Sequence, residues 1–573
     1  MPNKNNKQIN RVTVLISVIL AGFFFIFLKL AFIQIVKYSE INKSVEKMIR
    51  RENVETPKRG DIIDSNGRIL ATSVIMYTLY IDPQEIKKFD KVKSGLSRYG
   101  INIKQKNLKE FGNTAYVPLA YNLDYETVRK IKDENIDRGI GFEGKYARQY
   151  PEGRLLSHIL GIVGDDGNGL SGIEKICNSY LYGESVVTEY KKYGKKMISD
   201  KPVDKAKIRG RSVELTIDKK IQFIVEQELG KAFADNKAKR AFCIVQKPDS
   251  GEILAMVSFP NFDSSDKIKD IEVLKNLAIS YNYEPGSTFK IIAIAAALEE
   301  NKIKPSEKFF LEDGKYKIGA HNIRDDHKIK GIASVYEIME QSSNIGMVKI
   351  AQKLGRPLFY EYIRKFGFFF LTGIDLNGEE RGILAEEKKW NNLSLPTISF
   401  GQGISVTGIQ LINAFSATVN GGVLMKPIII KNIEGMHAEN SDFGPKKIRR
   451  VISEETSAEM RKILRNTVDK GTGKSAKIDG YSVGGKTGTA QKIDETKQYS
   501  KKHYISSFCG FFPVSKPEIV ILVVIDEPKG DYYASSVAAP VFARIAERIA
   551  EYLNIPKDDV KKTGLTANKK DKK

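Results

Sequence analysis

A long run of uncharged residues near the N-terminus restricts the fold of this chain more than any other feature of its sequence. The run extends from Val12 to Leu28 and resumes beyond Lys29 as far as Val36. At a helical rise of about 1.5 Å per residue, its first seventeen residues reach about 25 Å, and the extension past Lys29 completes a crossing of roughly 30 Å. The sequence therefore predicts one transmembrane helix over residues 12–36.

The flanks of this segment predict its orientation. Residues 1–11 carry Lys4, Lys7 and Arg11, and basic residues stay on the cytoplasmic side of a membrane. We expect a cytoplasmic tail over residues 1–11, a single pass through the inner or plasma membrane, and the remaining chain on the extracytoplasmic side. A cleaved signal peptide is the alternative, but no A-x-A-like cleavage site follows a short apolar core.

Charge and composition exclude several classes of protein. The 573 residues carry a formal net charge of +22, which suits anionic lipid or an anionic wall polymer as well as nucleic acid. No zinc spacing, RNA-binding signature or recognition-helix pattern is present, so no nucleic-acid partner is expected. The three cysteines are scattered singly and the five histidines lack ligand spacing. We therefore expect no disulfide framework, metal or cofactor.

Two domains follow the transmembrane segment in the predicted organisation. Residues 37–205 have a mixed α/β pattern, which begins with a helical segment over residues 39–53 and includes a hairpin at Asn66-Gly67. Residues 206–553 begin with a strand, an amphipathic helix and a hairpin, and end with three strands and a closing helix. This order predicts an α/β (α+β) domain in which terminal segments share one antiparallel sheet flanked by helices. Residues 554–573 are lysine-rich, which predicts a disordered tail.

A serine and a lysine at the start of one helix are the first candidates for catalysis. Ser287 and Lys290 lie three residues apart in EPGSTFK, and the run from Thr288 to Glu300 favours a helix. Both side chains then project from the same face of the first turn. A lysine with a lowered pKa can take the proton of a serine nucleophile. On its own, S-x-x-K is as well explained by a capping serine and a solvated lysine.

Two further motifs appear downstream in the order that serine penicillin-recognising enzymes use. Ser342-Ser343-Asn344 precedes a helical pattern, and Lys486-Thr487-Gly488-Thr489 follows two glycines. The first also reads as a helix N-cap. The second, with Gly480, formally matches a phosphate-binding loop, but it lies between strand-like segments with no helix after the lysine. Three motifs in this order favour catalysis.

With these motifs, the sequence resembles a class B penicillin-binding protein, most closely the division-type peptidoglycan D,D-transpeptidase (FtsI-like, penicillin-binding protein 3 type). Three boxes typical of the pedestal of that family also match, and they look structural: residues 59–71 (RGDIIDSNGRILA), 148–151 (RQYP) with His158, Leu160 and Gly161, and 169–174 (GLSGIE). The resemblance implies that residues 37–205 form the pedestal and residues 206–553 the penicillin-binding transpeptidase domain. Phe400–Thr407 (FGQGISVT) matches a further family box.

The resemblance also implies the roles of the site residues. Ser287 is the nucleophile, Lys290 its base, Ser342 the relay to the leaving amine, and Asn344 a ligand of the substrate amide and of Lys290. Lys486 supplies positive charge. Thr487 and Thr489, with Gly488 between them, bind the substrate carboxylate, and the backbone N–H groups of Ser287 and Thr489 form the oxyanion hole.

The implied ligands are peptidoglycan stem peptides and, covalently, β-lactams. The implied partners are an FtsW-like glycosyltransferase and other divisome proteins beside the membrane. The division assignment depends on Glu284 before the Pro-Gly-Ser, on asparagine at position 344, and on the absence of appended repeats. An elongation-type transpeptidase is the alternative, and a β-lactamase or a β-lactam sensor is disfavoured because no water-activating carboxylate or cytoplasmic signalling part is evident.

Overall fold

The computed structural model describes residues 4–55, 57–112, 114–183, 186–193, 196–199, 209–266, 268–327, 329–436, 443–494, 496 and 498–559. The chain divides into two compact units. The smaller unit contains Met1–Lys58 and Gly183–Arg209, and the larger contains Arg59–Tyr182 and Gly210–Lys573. The predicted domain boundary at residues 205–206 lies outside the described residues.

The described chain contains twenty strands. In order, they are β1 (Arg50–Glu55), β2 (Ile62–Ile63), β3 (Ile69–Ile81), β4 (Val117–Leu123), β5 (Ile140–Gln149), β6 (Val186–Tyr193), β7 (Lys196–Ser199), β8 (Val213–Leu215), β9 (Arg240–Gln246), β10 (Ile253–Phe259), β11 (Lys308–Phe310), β12 (Lys315–Ile318), β13 (His321–Arg324), β14 (Ile332–Ser334), β15 (Val423–Met425), β16 (Ile430–Ile433), β17 (Lys447–Arg450), β18 (Gly484–Ile493), β19 (Tyr499–Phe512) and β20 (Ile519–Asp526).

The α-helices of the described chain are α1 (Lys4–Ala31), α2 (Tyr38–Ile49), α3 (Phe89–Ser97), α4 (Tyr125–Asp133), α5 (Ser157–Leu160), α6 (Gly172–Ile176), α7 (Asn178–Leu181), α8 (Lys219–Asp235), α9 (Leu277–Ser280), α10 (Lys290–Glu299), α11 (Val335–Glu340), α12 (Asn344–Leu354), α13 (Arg356–Lys365), α14 (Ser394–Ser399), α15 (Gly408–Val419), α16 (Glu454–Asp469), α17 (Ala534–Val537) and α18 (Ala539–Tyr552).

The smaller unit contains the predicted transmembrane helix. Helix α1 continues through a π-helical turn, Phe32–Val36, so that Asn10–Val36 is long and apolar enough to cross a membrane. Its large apolar side chains are exposed, as a lipid-facing helix requires. The predicted helix over residues 39–53 is wrong in its last part, because α2 ends at Ile49. The following residues form β1, which pairs antiparallel with β6, and this pairing overrides the local helix preference.

The larger unit is built around a five-stranded antiparallel sheet with the strand order β10-β9-β20-β19-β18. Side chains of β20 alternate between two buried clusters. Val520, Leu522 and Val524 face the cluster that contains α10 and α15, while the intervening residues face the cluster that contains α8 and α18. Both faces of the sheet are therefore covered, which explains why all eight residues of β20 are buried. The predicted hairpin of β9 and β10 and the three late strands are confirmed.

A second sheet joins strands from both predicted domains. Its order is β16-β8-β2-β3-β4, and β5 also pairs with β3. The parallel pair of β2 and β8 aligns Ile62 with Val213. The hairpin predicted at Asn66-Gly67 is confirmed, since it joins β2 to β3, and Gly67 has a φ of +78°.

The three pedestal boxes meet at one buried carboxylate. Glu174 accepts a hydrogen bond of 2.6 Å from Nε of Arg59 and another of 2.6 Å from Nε of Arg148. All three side chains are buried or nearly so. Glu174 is the shared counter-ion of two guanidinium groups, so removing its carboxylate would leave two buried positive charges without their ion-pair partner. This network gives the boxes a structural role.

The first residues of the predicted disordered tail are ordered. Residues 555–559 pack against the larger unit: the carbonyl of Ile555 accepts a bond of 2.9 Å from the hydroxyl of Tyr481, and Asp558 accepts one of 2.7 Å from the backbone N–H of Ser482. Ile555 is buried. The contacts depend on two individual residues, Ile555 and Asp558. The prediction of disorder is based on the lysine-rich composition of the whole segment and does not take them into account. Residues 560–573 lie outside the described residues.

Candidate active site

Ser287 lies on a tight turn that leads into a buried helix. Gly286–Phe289 form a 3₁₀ turn and α10 begins at Lys290, so the predicted α-helix from Thr288 starts two residues later. Residues i and i+3 eclipse each other in a 3₁₀ turn, which places Ser287 and Lys290 on one side, as predicted. The side chain of Ser287 is partly exposed, whereas Lys290 is completely buried.

Two glycines allow neighbouring segments to press against this turn. Gly286 has a φ of +55°, and its backbone N–H donates to the carbonyl of Gly401 at 3.1 Å. Gly488 lies on β18, where an added Cβ would stand 2.9 Å from the carbonyl oxygen of Pro285 and 2.9 Å from Cγ2 of Thr288. Only glycine permits such an approach. The strand that carries Thr487 and Thr489 is thereby held flush against the turn that carries Ser287.

The amine of Lys290 binds the second motif. Its Nζ donates to the carbonyl of Ser342 at 2.6 Å, to Oγ of Ser342 at 3.1 Å and to Oδ1 of Asn344 at 2.8 Å. Ser342 has a φ of +59°, which is uncommon for a residue with a side chain and which turns its carbonyl and hydroxyl toward the same amine. Helix α12 then begins at Asn344, with Ser343 as its N-cap.

The second lysine reaches the same hydroxyl from β18. Nζ of Lys486 donates to Oγ of Ser342 at 2.9 Å, and to the carbonyl and hydroxyl oxygens of Thr487 at 3.1 and 3.3 Å. Lys486, like Lys290, is completely buried. Oγ of Ser342 therefore lies between two amines that belong to different motifs.

Burial changes the acid–base properties of both amines. It lowers the pKa of Lys290 to about 8, against the opposing attraction of Asp325 and Asp326. Burial also lowers the pKa of Lys486 well below its usual value, and the positive charge of Lys290 adds to this effect. A buried amine without a close carboxylate partner loses its proton more easily, so Lys290 can accept and return a proton near its pKa of about 8.

Asp325 organises the start of α12. Its carboxylate accepts hydrogen bonds from Oγ of Ser343 at 2.9 Å and from the backbone N–H groups of Asn344 and Ile345 at 2.5 and 3.1 Å. The side-chain amide of Asn344 donates to the carbonyl of Arg324 at 3.0 Å. An anion at a helix N-terminus satisfies N–H groups that have no partner within the helix. Asp325 thus fixes the second motif in place.

The two threonines of β18 each contact a protein neighbour. Oγ1 of Thr489 accepts a bond from the backbone N–H of Ala534 at 3.1 Å, and Oγ1 of Thr487 lies 2.8 Å from Oγ1 of Thr472. Because Lys486, Thr487, Gly488 and Thr489 belong to a continuous strand paired with β19, no helix follows the lysine. The alternative of a phosphate-binding loop, which requires that helix, is therefore excluded.

Comparisons with known proteins agree with this geometry. A family model described as the penicillin binding protein transpeptidase domain matches residues 241–547, and one described as the penicillin-binding protein dimerisation domain matches residues 54–215. The chain belongs to the penicillin-binding proteins.

Individual members of the family match over most of the chain. The protein named Stage V sporulation protein D of Bacillus subtilis is 35% identical over 94% of this chain and 86% of its own length. The probable peptidoglycan D,D-transpeptidase FtsI of Caulobacter vibrioides is 32% identical over 87% of this chain and 82% of its own. The crystal structure of penicillin binding protein 3 of Mycobacterium tuberculosis complexed with aztreonam covers 88% of this chain and 98% of its own, with 27% identity and a TM-score of 0.68.

In this penicillin-binding protein, the structure brings most of the predicted site residues into one hydrogen-bond network, formed by Lys290, Ser342, Asn344, Lys486 and Thr487. The turn that carries Ser287 packs on β18 at Gly488, through Pro285 and Thr288. Asp325 and Thr472 were missed by reasoning from the sequence, since neither lies in a motif with fixed spacing. The flanking glycines of Thr472 are the only local signal.

Proposed function

We propose that this chain cross-links peptidoglycan through an acyl-enzyme on Ser287. It is a serine-type peptidoglycan D,D-transpeptidase and a penicillin target. One observation carries the assignment of roles to residues: Lys290 and Lys486, from separate motifs, both donate to Oγ of Ser342 beside the turn that carries Ser287. This arrangement provides a base, a relay and a second amine within one buried network.

The proposed acylation step moves one proton in two stages. Oγ of Ser287 forms a bond to the carbonyl carbon of the penultimate D-alanine while its proton passes to neutral Lys290. The bond to the terminal D-alanine breaks as the nitrogen of that residue takes a proton through Ser342. Oγ of Ser342 accepts from both amines, so its own proton is free for the leaving nitrogen. An amine of a second stem peptide then attacks the ester and releases Ser287.

Substrate positioning is assigned to β18 and to the turn. Hydroxyl groups of Thr487 and Thr489, with the charge of Lys486, would hold the terminal carboxylate. The backbone N–H groups of Ser287 and Thr489 would stabilise the oxyanion, and Asn344 would bind the substrate amide. This assignment is supported by the close packing at Gly488, which holds β18 and the turn that carries Ser287 at a fixed separation. We retain residues 37–205 as the pedestal and 206–553 as the transpeptidase domain.

For the cellular role, we propose septal wall synthesis during division. This proposal is supported by the relatives named FtsI. One observation favours a second role, because a relative at 35% identity is named Stage V sporulation protein D. Depletion distinguishes the two: filaments with incomplete septa support the division role, whereas normal division with defective spores supports the sporulation role.

Function and partnership are tested together by reconstitution with lipid-linked precursor. Alone, the purified full-length chain should produce no glycan polymer, because its site serves acyl transfer only. With an FtsW-type glycosyltransferase, it should produce polymer whose digestion yields cross-linked muropeptides, and penicillin should remove the cross-links but leave the polymer. Polymer without cross-links in the untreated reaction would refute the transpeptidase assignment, and polymer from the chain alone would refute the need for a polymerase partner.

The pH dependence of acylation follows from the lowered pKa of Lys290. Only the neutral amine accepts the proton of Ser287, so the second-order rate constant for penicillin should rise with pH and level off above the pKa of about 8. Below that pH, the rate should change about tenfold per pH unit. Stopped-flow measurements from about two pH units below this pKa to about two units above it check this profile.

Asp325→Asn provides the matched variant for that profile. Asp325 opposes the lowering of the pKa of Lys290, so removing its charge should shift the rise to lower pH. A wild-type rate that is independent of pH would show that Lys290 is not the base. An unshifted rise in the variant would show that Asp325 acts through position alone.

Membrane topology can be tested in intact protoplasts. If Lys4, Lys7 and Arg11 hold the N-terminus in the cytoplasm, protease added outside protoplasts should digest the chain beyond about residue 40. A cytoplasmic reporter fused to the N-terminus should remain protected and serves as the internal control. Protection of the C-terminal part together with digestion of the reporter would reverse the assignment.

A further inference from the structure

Thr472 lies beside the proposed carboxylate site without belonging to any of the three motifs. It occupies the loop after α16, and its Oγ1 is 2.8 Å from Oγ1 of Thr487. Geometry at this contact allows either hydroxyl to donate. Which of them does so determines whether the proton of Thr487 is available to a ligand.

The direction of this bond decides what Thr487 can offer a ligand. Nζ of Lys486 already donates to Oγ1 of Thr487 at 3.3 Å. A hydroxyl has one proton and two acceptor positions. If Thr472 also donates, both acceptor positions of Thr487 are filled and its proton is free to bind an anion. If Thr487 donates to Thr472, its proton is already in a hydrogen bond. Thr487 then presents only a hydroxyl oxygen to a carboxylate and cannot donate to it.

Thr489 shows the same arrangement with a partner that cannot reverse. Its Oγ1 accepts from the backbone N–H of Ala534 at 3.1 Å, which can only donate. The proton of Thr489 is thereby left for another acceptor. Thr489, two residues from Thr487 on the same strand, thus receives its donor from the first residue of α17.

The loop that carries Thr472 is held against the second motif. The backbone N–H of Thr472 donates to the carbonyl of Glu340 at 3.2 Å, and Nδ2 of Asn466 donates to Oε2 of the same residue at 2.7 Å. An added Cβ on Gly471 would stand 2.3 Å from that carbonyl oxygen. Glu340 ends α11, immediately before Gln341 and Ser342. Thr472 therefore has a fixed position relative to Ser342 and β18.

We infer that Thr472 is a positioning residue that donates its hydroxyl proton to Thr487, so that Thr487 presents its own proton to the carboxylate of the substrate. This inference rests on the proposed function, in which Thr487 binds that carboxylate. It gives Thr472 a role in carboxylate recognition without contact with the substrate.

Thr472→Val tests the inference because valine has the shape of threonine without the hydroxyl. The full-length chain in detergent is treated with benzylpenicillin and with its methyl ester, and acylation of Ser287 is followed by mass spectrometry. A hydrogen bond to a charged group is strong, so loss of its orientation should lower the acylation rate constant for benzylpenicillin about tenfold. The ester has no anionic carboxylate, so its rate should fall less than about threefold.

Three further variants complete the design. Thr472→Ser keeps the hydroxyl and should restore the rate to within about twofold of wild type. Thr472→Ala removes the hydroxyl with a smaller side chain and should repeat the selective loss if valine disturbs folding. Thr467→Val is the matched control, because the hydroxyl of Thr467 donates to Ile463 within its own helix and does not reach the site.

The outcomes separate this inference from the proposed function. A selective loss for the carboxylate form, restored by serine, supports it. Wild-type rates in Thr472→Val and Thr472→Ala, or equal losses for acid and ester, would overturn the inference while leaving the transpeptidase site intact. No adduct on Ser287 in the wild-type chain would overturn the proposed function and this inference with it.

Discussion

Ser287→Ala should abolish covalent labelling by penicillin and all cross-linking, while the protein stays folded. The variant removes the only oxygen that the proposed mechanism uses as nucleophile. Ser287 is partly exposed at the turn before α10, and losing one such hydroxyl changes the free energy of unfolding by about 0.5 kcal/mol or less. Mass spectrometry of the intact chain after incubation with penicillin measures the label, and thermal unfolding measures the stability.

Ser280→Ala is the matched control for this experiment. Ser280 ends the short helix α9, and its hydroxyl donates to the carbonyl of Asn276 rather than to the site. The Ser280→Ala protein should be labelled on Ser287 at the wild-type rate. Label that persists in Ser287→Ala, on any residue and at a comparable rate, would refute the assignment of the nucleophile.

Lys290→Met should lower the acylation rate by about a thousandfold, the typical contribution of a well-placed general base. Methionine keeps the length of the side chain within the buried site but cannot accept a proton. Lys486 lies nearby, but its three hydrogen bonds go to Ser342 and Thr487. Lys486 should therefore not replace Lys290 as the base. The fall in the acylation rate is measured by stopped flow at saturating and subsaturating penicillin.

The same substitution also has a cost in stability that must be measured separately. Lys290→Met leaves the carbonyl of Ser342 and Oδ1 of Asn344 without their donor and leaves the hydroxyl of Ser342 with Lys486 alone, which should lower the melting temperature. Lys349→Met, on the partly exposed side of α12 beside Glu312, controls for the exchange itself. Near-normal acylation in a folded Lys290→Met chain would place the base elsewhere.

Several elements could be predicted from the sequence because their signals are local. Strand β20 is a long apolar run bounded by turn residues, and a strand covered on both faces needs no alternation. The helix after Ser343 carries its own N-cap, whose hydroxyl accepts from the backbone N–H of Gly346 at 2.9 Å. Motif order supplied Ser287, Lys290 and Lys486, and the structure places the two lysines on one hydroxyl.

Other features depend on contacts between distant segments and have no local signal. Asp325 reaches the backbone of Asn344, nineteen residues away, and Thr472 reaches Thr487, fifteen residues away. Strand β1 forms only because β6, more than a hundred residues later, pairs with it. In each case the structure depends on a partner that is distant in the sequence, and local sequence patterns do not identify that partner.

The sheet that contains β2, β3, β8 and β16 sets a condition on biosynthesis. A chain emerges from the ribosome with its N-terminus first. Strand β2 has no partner on one side until Val213–Leu215 follow, and β8 stays open on its far side until Ile430–Ile433 arrive, when about three quarters of the chain has been made. Open strand edges invite pairing with other chains. The open strand edges of the early half of this protein must therefore stay shielded from other chains until its late half has been made.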